Sequence, residues 1–243
     1  MKNYLLITTL FLMSLNLFAQ ERYWTAYNFS VESKDIETVA KITNDFFSNP
    51  GSKADGVTVY LFENHFSDDD NNFTHSVVFR GTLDAMGNQY SPTGGVAQEK
   101  FQAFQTKIGQ FVKAHSSSFG KELVTLSNSS SNETYPVQNS RFLKVTDPAK
   151  FAASWKKMEE TIGNFSESGS SKILGVINSG ASSSGATHYV LRSYPNFKAA
   201  LKGTELPTDK VKLDAYNVFR NETYAAGIVE SVRTSTRILL GKW

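Results

Sequence analysis

The stretch THSVVFR, Thr74 to Arg80, recurs 113 positions later as THYVLRS, Thr187 to Ser193, with Thr-His-x-Val repeated and an arginine close behind (Arg80 and Arg192). Two readings explain such an echo. A chemical reading makes the two histidines, His75 and His188, partners in one site. An architectural reading makes the two segments corresponding strands of a duplicated fold. The surrounding sequence favours the second. A shift of 115 positions lays Ile36, Ala40, Thr43 and Phe47 on Phe151, Trp155, Met158 and Ile162. Both sets follow the spacing i, i+4, i+7, i+11, which is one face of an amphipathic helix. The same shift places Pro92-Thr93 on Pro207-Thr208 and FQAF, Phe101 to Phe104, on YNVF, Tyr216 to Phe219. Matches in one order at nearly one offset mark an internal repeat, which has to be found before any fold is assigned.

Each copy reads as strand, helix, strand, strand, helix, strand. In the first copy the elements fall at 22–31, 35–48, 56–65, 74–83, 97–114 and 119–127. In the second they fall at 140–146, 148–163, 172–179, 186–194, 208–222 and 225–239, with a short helical turn near 196–202. Asp147-Pro148 is a helix start, with aspartate as N-cap and proline in the first turn. A serine- and asparagine-rich connector, 128–139, joins a first unit, 20–127, to a second, 140–243. The fold class is therefore α+β, two tandem ferredoxin-like βαββαβ units.

The N-terminus, MKNYLLITTLFLMSLNLFAQ, has one lysine, an apolar run from Tyr4 to Phe18 and a small residue, Ala19, before Gln20. This is the pattern of a secretory signal peptide over 1–19. The run is shorter than the roughly 20 apolar residues that a spanning helix needs. The expectation is an exported chain, periplasmic or secreted, with no integral membrane segment after cleavage. The chain contains no cysteine, which excludes disulfide staples, thiolate metal sites and a cysteine nucleophile. With 25 basic and 23 acidic residues and no basic stripe, nucleic acid is disfavoured as a partner.

Element order, together with the run THYVLRSYPNFKAAL in which a strand ends in an aromatic and a proline before an amphipathic turn, resembles the dimeric α+β barrel superfamily in its fused form. That superfamily includes antibiotic-biosynthesis-type monooxygenases, haem-degrading enzymes and chlorite-dismutase relatives. The resemblance implies that the two units pack as a pseudo-symmetric α+β barrel, two sheets facing one another with helices outside, and it leaves the branch open, since one fold hosts many functions.

Strand alternation groups His75, Val77 and Phe79 on one face and Thr74, Ser76, Val78 and Arg80 on the other, while His188, Val190 and Arg192 share a face. Both faces are nearly continuous in apolar residues, so the pattern does not say which looks inward. Histidines facing one lumen would serve as acid, base or haem ligand. Histidines facing outward would be relics of duplication. Trp24 and Tyr27, on opposite faces of the first strand, offer one aromatic wall to a cavity. Trp155 belongs to the core. In the first copy alone, FENHFSDDDNNFTH suggests His65 opposite His75 at the base of a hairpin, with Glu63 on the same face, a weak zinc-type set. The Asp68-x-Asp70-x-Asn72 loop lacks the glycine and terminal acid of a calcium loop. Hydrolase elbows, phosphate loops and His-Glu-x-x-His helices are absent. The chain contains 18 Phe, 10 Tyr and 3 Trp, and aromatic walls with a few polar groups describe a small-molecule pocket. The expected role is binding of a small apolar ligand between the sheets without catalysis, with candidate residues His75, His188, Arg80, Arg192, Trp24 and Tyr27. The resemblance implies the alternative of a cofactor-independent monooxygenase or a haem-using enzyme. The sequence identifies no cofactor.

Overall fold

The structure, a computed structural model, describes residues 21–67, 73–92, 97–127, 135–163, 171–180, 185–203 and 205–243. The signal-peptide segment, Thr93, and the Asp68-to-Asn72 loop lie outside these residues. Eight strands, β1 (Tyr23–Val31), β2 (Thr58–Ser67), β3 (His75–Gly81), β4 (Val112–Ser127), β5 (Val137–Val145), β6 (Ser171–Ser179), β7 (His188–Tyr194) and β8 (Val229–Lys242), form one closed antiparallel barrel. Their order around it is β1-β3-β2-β8-β5-β7-β6-β4.

Read by halves, that order is β4-β1-β3-β2 followed by β8-β5-β7-β6. Each half has the ferredoxin-like strand order, and the last strand of one pairs with the second strand of the other through β2–β8 and β4–β6. The expected facing sheets are thus joined at both edges by hydrogen bonds into a single ring. Six helices lie outside: α1 (Ile36–Phe47), α2 (Leu83–Tyr90), α3 (Gln98–Ile108), α4 (Pro148–Ile162), α5 (Phe197–Lys202) and α6 (Lys210–Arg220).

The repeated helix α4 buries the stripe read from the sequence, Phe151, Trp155, Met158 and Ile162. Asp147 caps it, its side chain accepting from the Lys150 N–H, and Gly163, in the left-handed region at φ 58°, ends it. In α1 the buried residues are Val39, Ile42, Thr43 and Phe47, with Ile36 and Ala40 at the margin. Burying each such large apolar side chain contributes about 1.5–3 kcal/mol. The two helix layers are filled differently. Trp155 fills the second. In the first, Ala40 stands at the repeat-equivalent position, and Trp243 packs there against Phe47, with ring centroids 5.8 Å apart. The Trp243 indole donates to Asn44 Oδ1 at 3.1 Å.

Several boundaries differ from the sequence expectation. Helix α3 ends at Ile108 rather than running to 114, and β4 begins at Val112. Phe111 and Val112 suit either period, and pairing along the whole of β1 decides the outcome. Helix α2 lies where the strand was expected to end. Its N-cap Thr82 accepts from the Ala85 N–H at 3.2 Å, while Gly87 and Asn88 weaken its helical signal. Helix α5 is its counterpart, so the repeated unit carries an extra helix after its third strand in both copies. β5 starts at Val137, inside the expected connector.

Candidate functional site

The register settles which face of each strand looks inward. Phe29 pairs with His75, Tyr27 with Val77 and Thr25 with Phe79. Phe29, Val77 and Phe79 belong to the core packed beneath α1 and α3, so the odd-numbered face of β1 and β3 looks out toward the helices. The even-numbered face, Trp24, Ala26, Asn28, Ser76, Val78 and Arg80, lines the lumen. In the second half Val190 belongs to the core beneath α4, so His188, Val190 and Arg192 point outward and Tyr189, Leu191 and Ser193 point inward.

His75 and His188 therefore occupy two separate helix-covered cores and share no cavity. His75 is 1% exposed and His188 4%. The Phe29 ring stacks on His75 at 5.9 Å. In each half the preceding threonine holds the imidazole: Thr74 Oγ1 lies 2.8 Å from His75 Nδ1, and Thr187 Oγ1 lies 2.9 Å from His188 Nδ1. Each hydroxyl also accepts a backbone N–H from the end of the neighbouring strand, Val31 at 2.9 Å and Val145 at 3.0 Å. The doubled Thr-His is thus a latch between the first and third strands of each unit. Burial pulls both imidazoles below their usual range, with Glu63 opposing the shift at His75. The two histidines stay neutral in the fold.

Other candidate residues separate in the same way. Tyr27 is on the helix side, where its hydroxyl donates to Tyr90 Oη at 3.1 Å, and Tyr90 lies 2.5 Å from Thr25 Oγ1. Burial pushes Tyr90 well above the usual tyrosine range. Arg192 also faces outward and donates to Glu159 on α4 at 2.9 Å, beside Lys172, which donates to the same carboxylate. At the β2–β3 hairpin the residue opposite His75 is Glu63, and His65 lies further out, exposed and edge-on to Phe66. Among the described residues no group of three His, Asp or Glu side chains is placed to hold a metal ion.

Arg80 and Trp24 remain in the lumen. Arg80 grips Glu122 with two hydrogen bonds, Nε to Oε1 at 2.5 Å and Nη2 to Oε2 at 2.8 Å, and Thr125 donates to Oε2 at 2.8 Å. Burial opposes the Arg80 charge, but Glu122 more than offsets it and holds the guanidinium above its usual range. Trp24 meets Tyr189 edge to face at 5.4 Å. Two glycines make room for these rings: a Cβ on Gly120 would stand 2.7 Å from Trp24 Cζ2, and one on Gly175 would stand 2.3 Å from the Tyr189 ring. From β8, Arg237 lies 4.0 Å over the Phe62 ring and Arg233 lies 4.0 Å over Phe142. These last four residues were not singled out in the sequence. β8 is mostly polar, and only its register with β5 shows that Arg233 and Arg237 look inward.

No protein-family model and no curated protein sequence matches the chain. Solved structures do. A candidate monooxygenase from Fusobacterium nucleatum superposes with a TM-score of 0.61 at 14% identity, covering 93% of this chain and 95% of that one. A second candidate monooxygenase, from Lactobacillus acidophilus, gives 0.57 at 12% identity over 92% and 95% of the two chains. A variant of the chlorite dismutase from Candidatus Nitrospira defluvii gives 0.51 at 11% identity over 92% and 94%. The fold is the dimeric α+β barrel. Identity at this level speaks to architecture alone.

The haem-using alternative would need an axial ligand for the iron facing an open slot. The described histidines do not provide one. His75 and His188 are walled in by their threonines and core side chains, while His65 and His115 lie on the exterior, the latter 2.9 Å from Ser30 Oγ. The lumen wall, by contrast, carries aromatic rings and guanidinium groups.

Proposed function

We propose that the protein is exported and binds a small, largely apolar molecule inside the barrel without transforming it. One observation supports this reading. Trp24, Tyr60, Phe142 and Tyr189 face the lumen of a closed sheet and still keep accessible surface. A solid core would leave them none, because interiors are close-packed, whereas concave sites lined by aromatics with a few polar groups suit small ligands.

The neutral fluorophore N-phenyl-1-naphthylamine should bind saturably at one site per chain. Ala26→Phe, which places a ring on the lumen face of β1, should abolish that signal and leave the far-ultraviolet circular dichroism unchanged. Unchanged binding in Ala26→Phe would remove the lumen as the site. A second reading, a cofactor-independent monooxygenase, draws on the likeness to the two candidate monooxygenases. The same experiment separates the two. Probe recovered with unchanged mass after aerobic incubation supports binding alone, and recovery of an oxygenated product supports the oxygenase.

Export follows from the N-terminal segment, with cleavage after Ala19. Protein recovered from the periplasm or medium of the expressing bacterium should have the intact mass of a chain beginning at Gln20. Recovery of the full-length chain from the cytoplasm would overturn export.

A further inference from the structure

We propose that the molecule held in the barrel is an organic anion, a carboxylate on an aromatic body, and that the Arg237 guanidinium recognises its charge. The inference rests on the binding reading above and adds the chemistry of the ligand.

Arg237 is held on the lumen wall by pairing with Gln138, whose Oε1 accepts from its Nε at 3.0 Å, and by the Phe62 ring beneath it. Those contacts use one edge and one face of the guanidinium. Among the described residues no carboxylate pairs with it. The lumen-facing carboxylate, Glu122, is taken by Arg80 and Thr125. Arg237 is half-buried, desolvating a cation without a counter-ion is expensive, and burial pulls Arg237 down to about 10, opposed by the neighbouring Tyr189. At neutral pH it remains charged.

Its neighbour Tyr189 is a donor as well. The buried Trp24 Nε1–H has the Tyr189 hydroxyl as its neighbour. Burial holds Tyr189 protonated, as does the Glu122 charge, while Arg80, Arg237 and the Trp24 indole work in the opposite direction. Tyr189 therefore lies within electrostatic reach of Arg237 and beside Trp24, and its hydroxyl is a donor too. Arg233, four residues along the same face of β8, adds a second guanidinium over Phe142. A guanidinium and a phenol hydroxyl within reach of each other on the lumen face call for oxygen lone pairs and negative charge, and planar oxyanions suit guanidinium best. The rings of Trp24, Phe62 and Phe142 supply faces for an aromatic body.

Calorimetric titration of the chain with 2-naphthoate and with its neutral isostere 2-naphthamide tests the inference. The native protein should bind the carboxylate at least about tenfold more tightly than the amide. Arg237→Met should erase that preference while keeping amide affinity, and Arg237→Lys should retain part of it. Independently of any Arg237 variant, naphthoate should change the tryptophan fluorescence of the native chain, and Trp24→Phe should remove that change. Equal binding of carboxylate and amide overturns the anion inference and leaves the apolar-ligand reading standing. Failure of both to bind while N-phenyl-1-naphthylamine binds overturns the anion inference too. Failure of all three sinks the binding reading and the inference with it.

Discussion

Glu159→Ala should destabilise the fold by about 3–5 kcal/mol, because it leaves buried cations without their anion. Glu159 is fully buried on α4. One carboxylate oxygen accepts from Arg192 at 2.9 Å and the other from Lys172. Arg192 in turn donates to the Gly203 carbonyl at 3.4 Å, at the end of α5. The carboxylate thus ties one helix to two strands and, through Arg192, to a second helix. Urea unfolding monitored by circular dichroism measures the loss, and a midpoint near that of the native chain would show that the network carries little net stability. Replacing the three partners together with apolar residues of similar volume should be far milder than the single change, since the desolvation of all three charges disappears with them. Among the described residues the first half shows no such network, and Asn44 at the repeat-equivalent position of Glu159 serves the Trp243 indole instead.

Mild acid should weaken the protein markedly, through its two buried imidazoles. Burial, opposed at His75 by Glu63, holds both imidazoles below the ordinary histidine value of about 6.5. Between 6.5 and the native values, the unfolded chain therefore binds more protons than the fold, so stability is full above that window and falls as pH drops through it. Each histidine contributes a slope of up to about 1.4 kcal/mol per pH unit, roughly twice that for the pair. Urea midpoints at pH 7.5, 6.5 and 5.5 test the slope. His75→Asn with His188→Asn, which keeps a polar atom beside each threonine, should flatten it. A slope unchanged in that double variant would assign the acid sensitivity to carboxylates.

The sequence disclosed the repeat, the strand order within each unit and the buried face of α4, because these rest on short-range periodicity and on residues such as Asp147 and Trp155 whose roles are local. It did not disclose the direction of His75 and His188. Both faces of β3 and β7 mix apolar with polar residues and are largely buried, so alternation carried no sign. Nor did it disclose Arg237, whose inward placement comes from pairing with Gln138, a residue from the start of the second unit. Helix α2 was obscured by Gly87 and Asn88, whose weak propensities are overridden by packing of Ala85 and Met86 on the core.

The two seams, β2 against β8 and β4 against β6, have a consequence beyond closing the ring. An ordinary sheet ends in strands whose unpaired amides and carbonyls invite another extended chain to add on, a route to aggregation that proteins must block with charges, prolines or bulges. Here the outermost strands of each half are each other's partners. Either half alone would present two open strands, and a second copy of the same half would be their natural complement. Joining the halves in one chain supplies that complement at a fixed ratio and leaves no strand edge of the barrel open to a foreign chain.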